Sequence, residues 1–412
     1  MALMKLNEYF HKLQILFSAK WYFTKPLKTE YLIYDNEDLY PSSEKRTKNF
    51  FKRENYSILH TRRESYYLFF LFKALINFKL SGIYFDYLRL MIEYIQPKYL
   101  VTCIGNDVRF YQLKKYFPSI KFISIGTANS ISIDDFCSSE KQIKLLKKQK
   151  LKVDYYFVFD QLHKDLFSKF IKGKYIINGS FFNNLVKITK DKNKNRILYI
   201  SQWRSNNGSP EKISGMEKLN CNADEYNNLY RSVEKDLISR TADYCEKNKI
   251  FMDIKLASFE EVKDIKNEIL YFEEILKNRI KSWKFIYRTE NYEDYSVLDK
   301  YNLIVTVDST LGLECIMRGK KVIFYWCRSS AMGLSPKEWL TTLPKLLNVK
   351  YKKNGFIIDT HLLTKKEFEN FMSFNYKISQ TKWNSLNYDI IKKLKFYNYD
   401  NKIIKKILNM RK

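Results

Sequence analysis

The densest grouping of residues able to do chemistry lies between Leu303 and Tyr325. An apolar run from Leu303 to Val307 leads into Asp308, Ser309 and Thr310, then Gly312 and Glu314, then Gly319 and a second apolar run, Lys321 to Tyr325. The pattern predicts a strand, a tight polar turn, a short helix, a glycine stop and another strand. In a parallel sheet, ligands bind where strands end and helices begin, which is where Asp308, Ser309 and Thr310 fall. Free N–H groups at the helix start, together with the helix dipole, favour an anion such as a phosphate. Gly312 allows a ligand to approach closely. Glu314 lies one turn after Thr310 on the same helix face, so its carboxylate could accept hydrogen bonds from the vicinal hydroxyls of a ribose. The plainer reading is a helix cap, in which Ser or Thr is followed three residues later by Glu. Here the third residue after Thr310 is Leu313, and such a cap would need a shifted helix start.

Releasing a nucleotide diphosphate or monophosphate requires positive groups near the leaving charge. Arg204 follows the apolar run Ile197 to Ser201 in the small polar loop Ser201-Gln202-Trp203-Arg204-Ser205-Asn206, while Lys255 and Arg288 close the runs Phe251 to Leu256 and Lys284 to Tyr287. All three belong to the sheet edge that carries Ser309. In a chain with 73 Lys and Arg, each also reads as an ordinary surface cation. For a general base, Asp107 is the first choice because it directly follows the apolar run Tyr99 to Ile104; capping the next helix is its alternative role. Asp134, Asp135 and His163 are the other candidates. There is no Asp-x-Asp, no CxxC pair, and no clustering of the six cysteines with the four histidines, so no metal site, zinc site or disulfide framework is expected.

Those residues need a scaffold. Short β-branched or aromatic runs at Tyr31 to Asp35, Tyr56 to His60, Tyr99 to Ile104, Lys121 to Ile125, Tyr155 to Phe159 and Tyr175 to Asn178 alternate with helically spaced segments, which argues for a parallel sheet covered on both faces. A polar, lysine-rich stretch over 189–195 reads as a linker and as the hinge for closure over a donor. The alternation then restarts with Ile197 to Ser201, Phe251 to Leu256, Lys284 to Tyr287, Leu303 to Val307, Lys321 to Tyr325 and Phe356 to Ile358. The expected fold is therefore α/β, with two Rossmann-like domains facing a central cleft: an acceptor-side domain over 1–188 and a nucleotide-sugar-binding domain over 196–363. Residues 364–412 are expected to form helices packed across both. A length of 412 residues agrees with two domains, since single cores stop growing at roughly 250–300 residues.

The formal net charge of +28 has two readings: the composition of an AT-rich coding sequence, or a basic surface held near anionic lipids. No helix-turn-helix, RNP-type or zinc-finger signature supports nucleic acid as a partner. Met1 to Phe17 reads as an amphipathic helix rather than a signal peptide, and no apolar run reaches the ~20 residues of a membrane span. A cytoplasmic protein is expected, peripheral to the inner face of the membrane if the charge serves lipid binding.

The Asp308 to Glu314 segment resembles the donor-binding motif in the second domain of GT-B glycosyltransferases. It is more similar still to a group of bacterial surface-carbohydrate biosynthesis proteins carrying D-S-T-L-G-x-E before a basic, Gly-containing turn. Weaker similarity covers Val101 to Phe110, Val153 to Phe159, Gly179-Ser180-Phe181 and Ile197 to Arg204. Two loops depart from the pattern: Gly105 precedes Asn106 where relatives carry an acid, and Gly126-Thr127-Ala128 replaces a Gln-Asn-Gly loop. The resemblance implies metal-independent sugar transfer from a nucleotide-activated donor, acting as co-substrate with no resident cofactor, to a surface polysaccharide or lipid-linked oligosaccharide. The alternatives are a nucleotide-sugar epimerase or a polyol-phosphate transferase of the same fold, or a catalytically silent carbohydrate-assembly partner.

Overall fold

A computed structural model of the chain describes residues 19–35, 49–61, 65–76, 82–105, 107–126, 146–189, 193–203, 223–259, 265–277, 283–288, 293–307, 309–325, 357–358, 363–394 and 396–410. Met1 to Phe17, Asp134, Asp135, Arg204 and Asp308 lie outside the described residues.

Two six-stranded parallel sheets form the frame. In the first domain, β1 (Lys20–Tyr22) and β4 (Ser65–Tyr67) make a small parallel pair beside the main sheet. The main sheet contains β2 (Tyr31–Asp35), β3 (Tyr56–His60), β5 (Tyr99–Thr102), β6 (Lys121–Ile125), β7 (Leu151–Val158) and β8 (Ile171–Ile177), in the order β3-β2-β5-β6-β7-β8. Its described helices are α1 (Leu68–Ile76), α2 (Ile83–Ile95), α3 (Val108–Leu113) and α4 (Gln161–Phe167). The second sheet contains β9 (Asn193–Ile200), β10 (Phe251–Phe259), β11 (Trp283–Arg288), β12 (Tyr301–Thr306), β13 (Lys321–Tyr325) and β14 (Ile357–Ile358), in the order β11-β10-β9-β12-β13-β14. Numbered along the chain this is 3-2-1-4-5-6, the order of dinucleotide-binding sheets. Its described helices are α5 (Ala223–Lys247), α6 (Ile265–Leu276), α7 (Glu293–Leu298) and α8 (Thr310–Met317). Four more follow: α9 (Lys365–Lys377), α10 (Gln380–Leu386), α11 (Tyr388–Leu394) and α12 (Lys402–Leu408).

Each apolar run of the sequence coincides with a strand. Central strands buried on both faces must be apolar without alternation, as Leu32-Ile33-Tyr34, Ile197 to Tyr199 and Val322 to Tyr325 are, all fully buried. Strands β7, β8 and β9 begin earlier than their apolar runs, at Leu151, Ile171 and Asn193. The added residues include Lys152, Lys172, Lys174 and Lys194, which carry no hydrophobic signal. Residues 193–195 of the expected linker are thus in β9, and 190–192 lie outside the described residues.

One apolar cluster joins both halves. It takes Ile33 and Val101 from the first sheet, Leu198 and Ile304 from the second, Phe181 from the crossover, and Ile404 from the C-terminal helices. The crossover after β8 is pinned from two sides. Toward the second domain, the fully buried Arg318 guanidinium pairs with Asp299 at 2.5 and 2.9 Å, and donates to Asn183 Oδ1 at 2.7 Å and to the Val186 and Lys187 carbonyls. The Thr189 N–H donates to Asp299 as well, at 2.7 Å. Toward the tail, Asn178 and Asn184 each donate to Asn401 Oδ1 at 3.0 Å, and Asn398 donates to Asn178 at 2.9 Å. Gly179 adopts φ of 74° here and lies against the Phe396 carbonyl, where a Cβ would collide with backbone. Beyond this point the chain returns to the first domain: Tyr31 donates to the Leu408 carbonyl at 2.8 Å, and Asn409 donates to the Tyr99 hydroxyl at 3.1 Å.

Candidate functional site

The second sheet has one reversal of strand order, between β9 and β12, and a crevice opens beyond the carboxyl ends of such strands. Thr306 and Ile200 are register partners, and Thr306 Oγ1 donates across to the Ile200 carbonyl at 3.1 Å. The loop from Ser201 and the turn before α8 therefore leave the sheet side by side. Ser309 is the N-cap of α8, its hydroxyl accepting from the Leu311 N–H at 3.3 Å, and Thr310 is exposed at the first helical position. The helix starts one residue earlier than a Thr310 cap requires, so Gly312 takes the third position after the cap and Glu314 lies five residues from it, outside a capping box.

Gly312 serves packing. A Cβ there would lie 2.9 Å from the Phe324 ring and from Thr306 Cγ2, so the glycine lets α8 sit tightly on β12 and β13, the third glycine role of a dinucleotide-binding unit. This corrects the expectation that Gly312 makes room for a ligand: the face it opens is filled by Phe324.

Glu314 is buried, and its carboxylate has protein partners. Ser180 of the crossover donates to Oε1, and the Tyr295 hydroxyl lies 3.1–3.2 Å from both oxygens. Asn183 also reaches the Glu314 carbonyl at 3.5 Å. The residue ties the donor-side helix to the domain crossover. Glu314→Gln separates the two roles. A ribose contact would show as weaker nucleotide binding at unchanged melting temperature. The Ser180 and Tyr295 bonds predict the reverse: about 1.5–3 kcal/mol lost from stability, as for a hydrogen bond to a charged group, and nucleotide affinity retained. Thermal unfolding and nucleotide titration on one preparation decide it.

At the same sheet edge Arg288 closes β11, whereas Lys255, expected at the end of its strand, lies within β10, which continues past it to Phe259. Lys255 Nζ donates to the Tyr287 carbonyl at 2.8 Å and is buried; Arg288 is half-buried and reaches the Ala257 carbonyl at 3.3 Å. Two carboxylates not singled out by the sequence reading shape this edge. Glu268 accepts from Ser201 Oγ at 2.6 Å and from the Ala257 and Ser258 N–H groups at 2.8 and 2.9 Å, while Glu234 accepts from Tyr199 and from the Gln202 N–H at 2.7 Å. They fold the loops after β9 and β10 back onto the sheet. A signal for Glu268 existed: it occupies an apolar-face position of α6, in step with Ile265, Phe272 and Ile275.

In the first sheet the order reverses between β2 and β5, where Thr102 Oγ1 donates to the Tyr34 carbonyl at 2.8 Å. Asp107 caps α3 at this edge through the Arg109 N–H. Its carboxylate also forms a two-pronged pair with the Arg109 guanidinium, at 2.6 Å to Nη2 and 2.9 Å to Nε, and accepts from Tyr34 at 3.0 Å. Burial and the Asp107 charge push the Tyr34 phenol well above its usual range, so it stays a donor. Burial opposes the Arg109 charge, but the Asp107 bond, together with the charge interactions with Tyr34, Asp107 and Tyr84, outweighs it and raises the guanidinium further, so it stays a cation. At the end of β7, Asp160 caps α4 and accepts from His163 N; its carboxylate lies 2.7 Å from His163 Nδ1. His163 Nε2 is buried with no hydrogen-bond partner among the described residues. No group of three or more His, Cys, Asp or Glu able to hold a metal ion occurs among the described residues, and Cys245 and Cys315 are free thiols.

The family model described as "putative O-antigen biosynthesis protein" matches residues 127–412, from the middle of the first sheet through the whole second domain and the tail. The chain belongs to this family. No curated protein matches this O-antigen biosynthesis family member. Among solved structures it is similar to MnaA of S. aureus in complex with UDP (10% identity, 93% of this chain and 98% of that one, TM-score 0.47). It is also similar to HepE of Anabaena with UDP and glucose (12%, 92% and 99%, 0.46), and to UDP-GlcNAc 2-epimerase from Neisseria meningitidis bound to UDP-GlcNAc (12%, 92% and 98%, 0.41). Among the described residues, no helix of this family member is long and apolar enough to cross a membrane.

Proposed function

We propose that the protein transfers a sugar from a nucleotide-activated donor to a growing surface polysaccharide or its lipid-linked precursor, without a metal. The observation that carries this reading is the reversal of strand order between β9 and β12 in a 3-2-1-4-5-6 sheet, where the Ser201 loop and the start of α8 leave the sheet side by side. Membership in an O-antigen biosynthesis family supports the carbohydrate half of the reading.

In this proposal the donor phosphates lie at the start of α8, against the N–H groups beside Asp308, Ser309 and Thr310, with the charge of Arg204 stabilising the departing nucleotide. Lys255 and Arg288 add positive potential behind the loops that Glu234 and Glu268 hold in place. The acceptor enters from the first sheet, whose Asp107 and His163 are the candidates to take the proton of an attacking hydroxyl. Asp107 would have to surrender part of its Arg109 pair to do so. His163 is oriented through Nδ1 by Asp160 and has Nε2 unengaged, the arrangement of a carboxylate-positioned general base. We assign the proton to His163, and assign Asp107 to holding Arg109 and the start of α3. Titration with UDP-, GDP-, CMP- and CDP-linked sugars, followed by product analysis with and without acceptor, tests the reading; conversion of the donor sugar with no acceptor present would favour an epimerase.

A further inference from the structure

Six of the fourteen large apolar side chains exposed among the described residues come from two short segments of the first domain. Helix α1 contributes Phe69 (50% exposed), Phe72 (57%), Leu75 (48%) and Ile76 (82%), while Phe70 and Ala74 on its opposite side are buried. Phe69, Phe72 and Ile76 are spaced three and four residues apart, so they form one outward stripe. The extended segment after β1 contributes Phe23 (81%) and Leu27 (78%), with Pro26 buried between them. The two segments touch: Lys25 Nζ lies 5.0 Å from the Phe69 ring centre and 5.7 Å from that of Tyr94, and Lys28 Nζ lies 5.5 Å from Tyr94. The other exposed apolar residues, such as Tyr116, Phe251 and Leu270, are dispersed, as is normal for a protein surface.

The charge of this patch identifies what it fits. Residues 20–28 and 68–76 contain Lys20, Lys25, Lys28 and Lys73 and no acidic residue. Apolar side chains ringed by lysines complement a bilayer with anionic headgroups, where the rings enter the acyl boundary and the ammonium groups remain at headgroup level. The patch lies toward the amino edge of the first sheet: the segment from Phe23 to Lys28 leads into β2, and Tyr94, against which Lys25, Lys28 and Phe70 pack, is near the end of α2, which leads into β5.

We propose that the outer stripe of α1 and the segment from Phe23 to Lys28 form a docking face for an anionic lipid bilayer. The docking does not rest on the proposed function. The test is flotation of the full chain with vesicles, in the absence of nucleotide and acceptor, so that its outcome is independent of any transfer activity. Equimolar phosphatidylcholine and phosphatidylglycerol vesicles should carry the protein at low salt, and phosphatidylcholine alone should carry much less. Phe69→Ser with Phe72→Ser should reduce partition at least tenfold at any salt concentration. Lys25→Gln with Lys28→Gln should reduce it about fivefold per lysine, on anionic vesicles only, as about 1 kcal/mol per lysine implies. Melting temperatures of both variants should match that of the parent, because the replaced side chains are exposed. Absence of binding by the parent, or equal binding by the variants, would overturn the proposal. So would a concentration-dependent dimer that the Phe variant turns into a monomer, since a second copy would then be what covers the face.

Discussion

Arg318→Met should lower the free energy of unfolding by about 3–5 kcal/mol, the cost of removing one partner of a buried ion pair. Both side chains of the Arg318 and Asp299 pair are fully buried. The guanidinium is also the donor for Asn183, Val186 and Lys187, so its loss strips the crossover of its anchor to the second domain as well as leaving Asp299 undercompensated. Thermal unfolding measures the effect. A control comes from replacing both partners, as Arg318→Met with Asp299→Leu: apolar substitution of a whole buried pair is often close to neutral, so the double variant should recover part of the loss. The recovery should be incomplete because the Thr189 N–H also donates to the Asp299 carboxylate and Lys320 Nζ lies 3.9 Å from it. A single variant that melts with the parent would mean that the crossover is held by the asparagine contacts and the apolar cluster alone.

His163→Ala should lower turnover by about 10²–10⁴, the contribution of a positioned general base, once a donor and acceptor are in hand. Burial of His163 means that the substitution also creates a small cavity, so circular dichroism and melting must accompany the kinetics. Asp160→Asn offers the sharper readout. It removes the carboxylate that orients Nδ1 but keeps the shape, and should reduce turnover at unchanged melting temperature. Asp107→Asn, by contrast, should act mainly through the α3 cap and the Arg109 pair, costing about 0.5–2 kcal/mol of stability as other cap losses do, with turnover reduced far less than by His163→Ala. Turnover lost with Asp107→Asn and kept with His163→Ala would reverse the assignment.

Much of the frame was legible because central parallel strands must be apolar on both faces, and runs such as Lys321 to Tyr325 have no other good explanation. Strands β1 and β4 were not, because Lys20-Trp21-Tyr22 and Ser65-Tyr66-Tyr67 are three residues each and their aromatics read equally well as parts of neighbouring helices. The turn at Ser309 was found from its place between strand and helix. The direction of the side chains around it was not: nothing local reveals that Glu314 meets Ser180, 134 residues earlier, or that Gly312 is required by Phe324. Charged residues with structural partners posed the same difficulty, since in a chain with 73 basic residues the spacing of Arg318 and Asp299 carries no mark of their pairing. Tertiary partners, set by the sheet order, decide which of many cations and carboxylates are buried and used.

Calorimetric titration of nucleotide-linked sugars tests most directly whether the nucleotide of an activated sugar binds beyond the carboxyl ends of β9 and β12. The account predicts saturable binding of one nucleotide class, one molecule per chain. Thr310→Trp should abolish most of it: Thr310 is exposed at the start of α8, so the indole would cover the helix N-terminus without entering the core. Arg204→Ala should weaken it roughly tenfold to a hundredfold, the loss of a charge-assisted phosphate contact. Failure of UDP-, GDP-, CMP- and CDP-linked sugars to bind, or binding that both substitutions leave intact, would contradict the account.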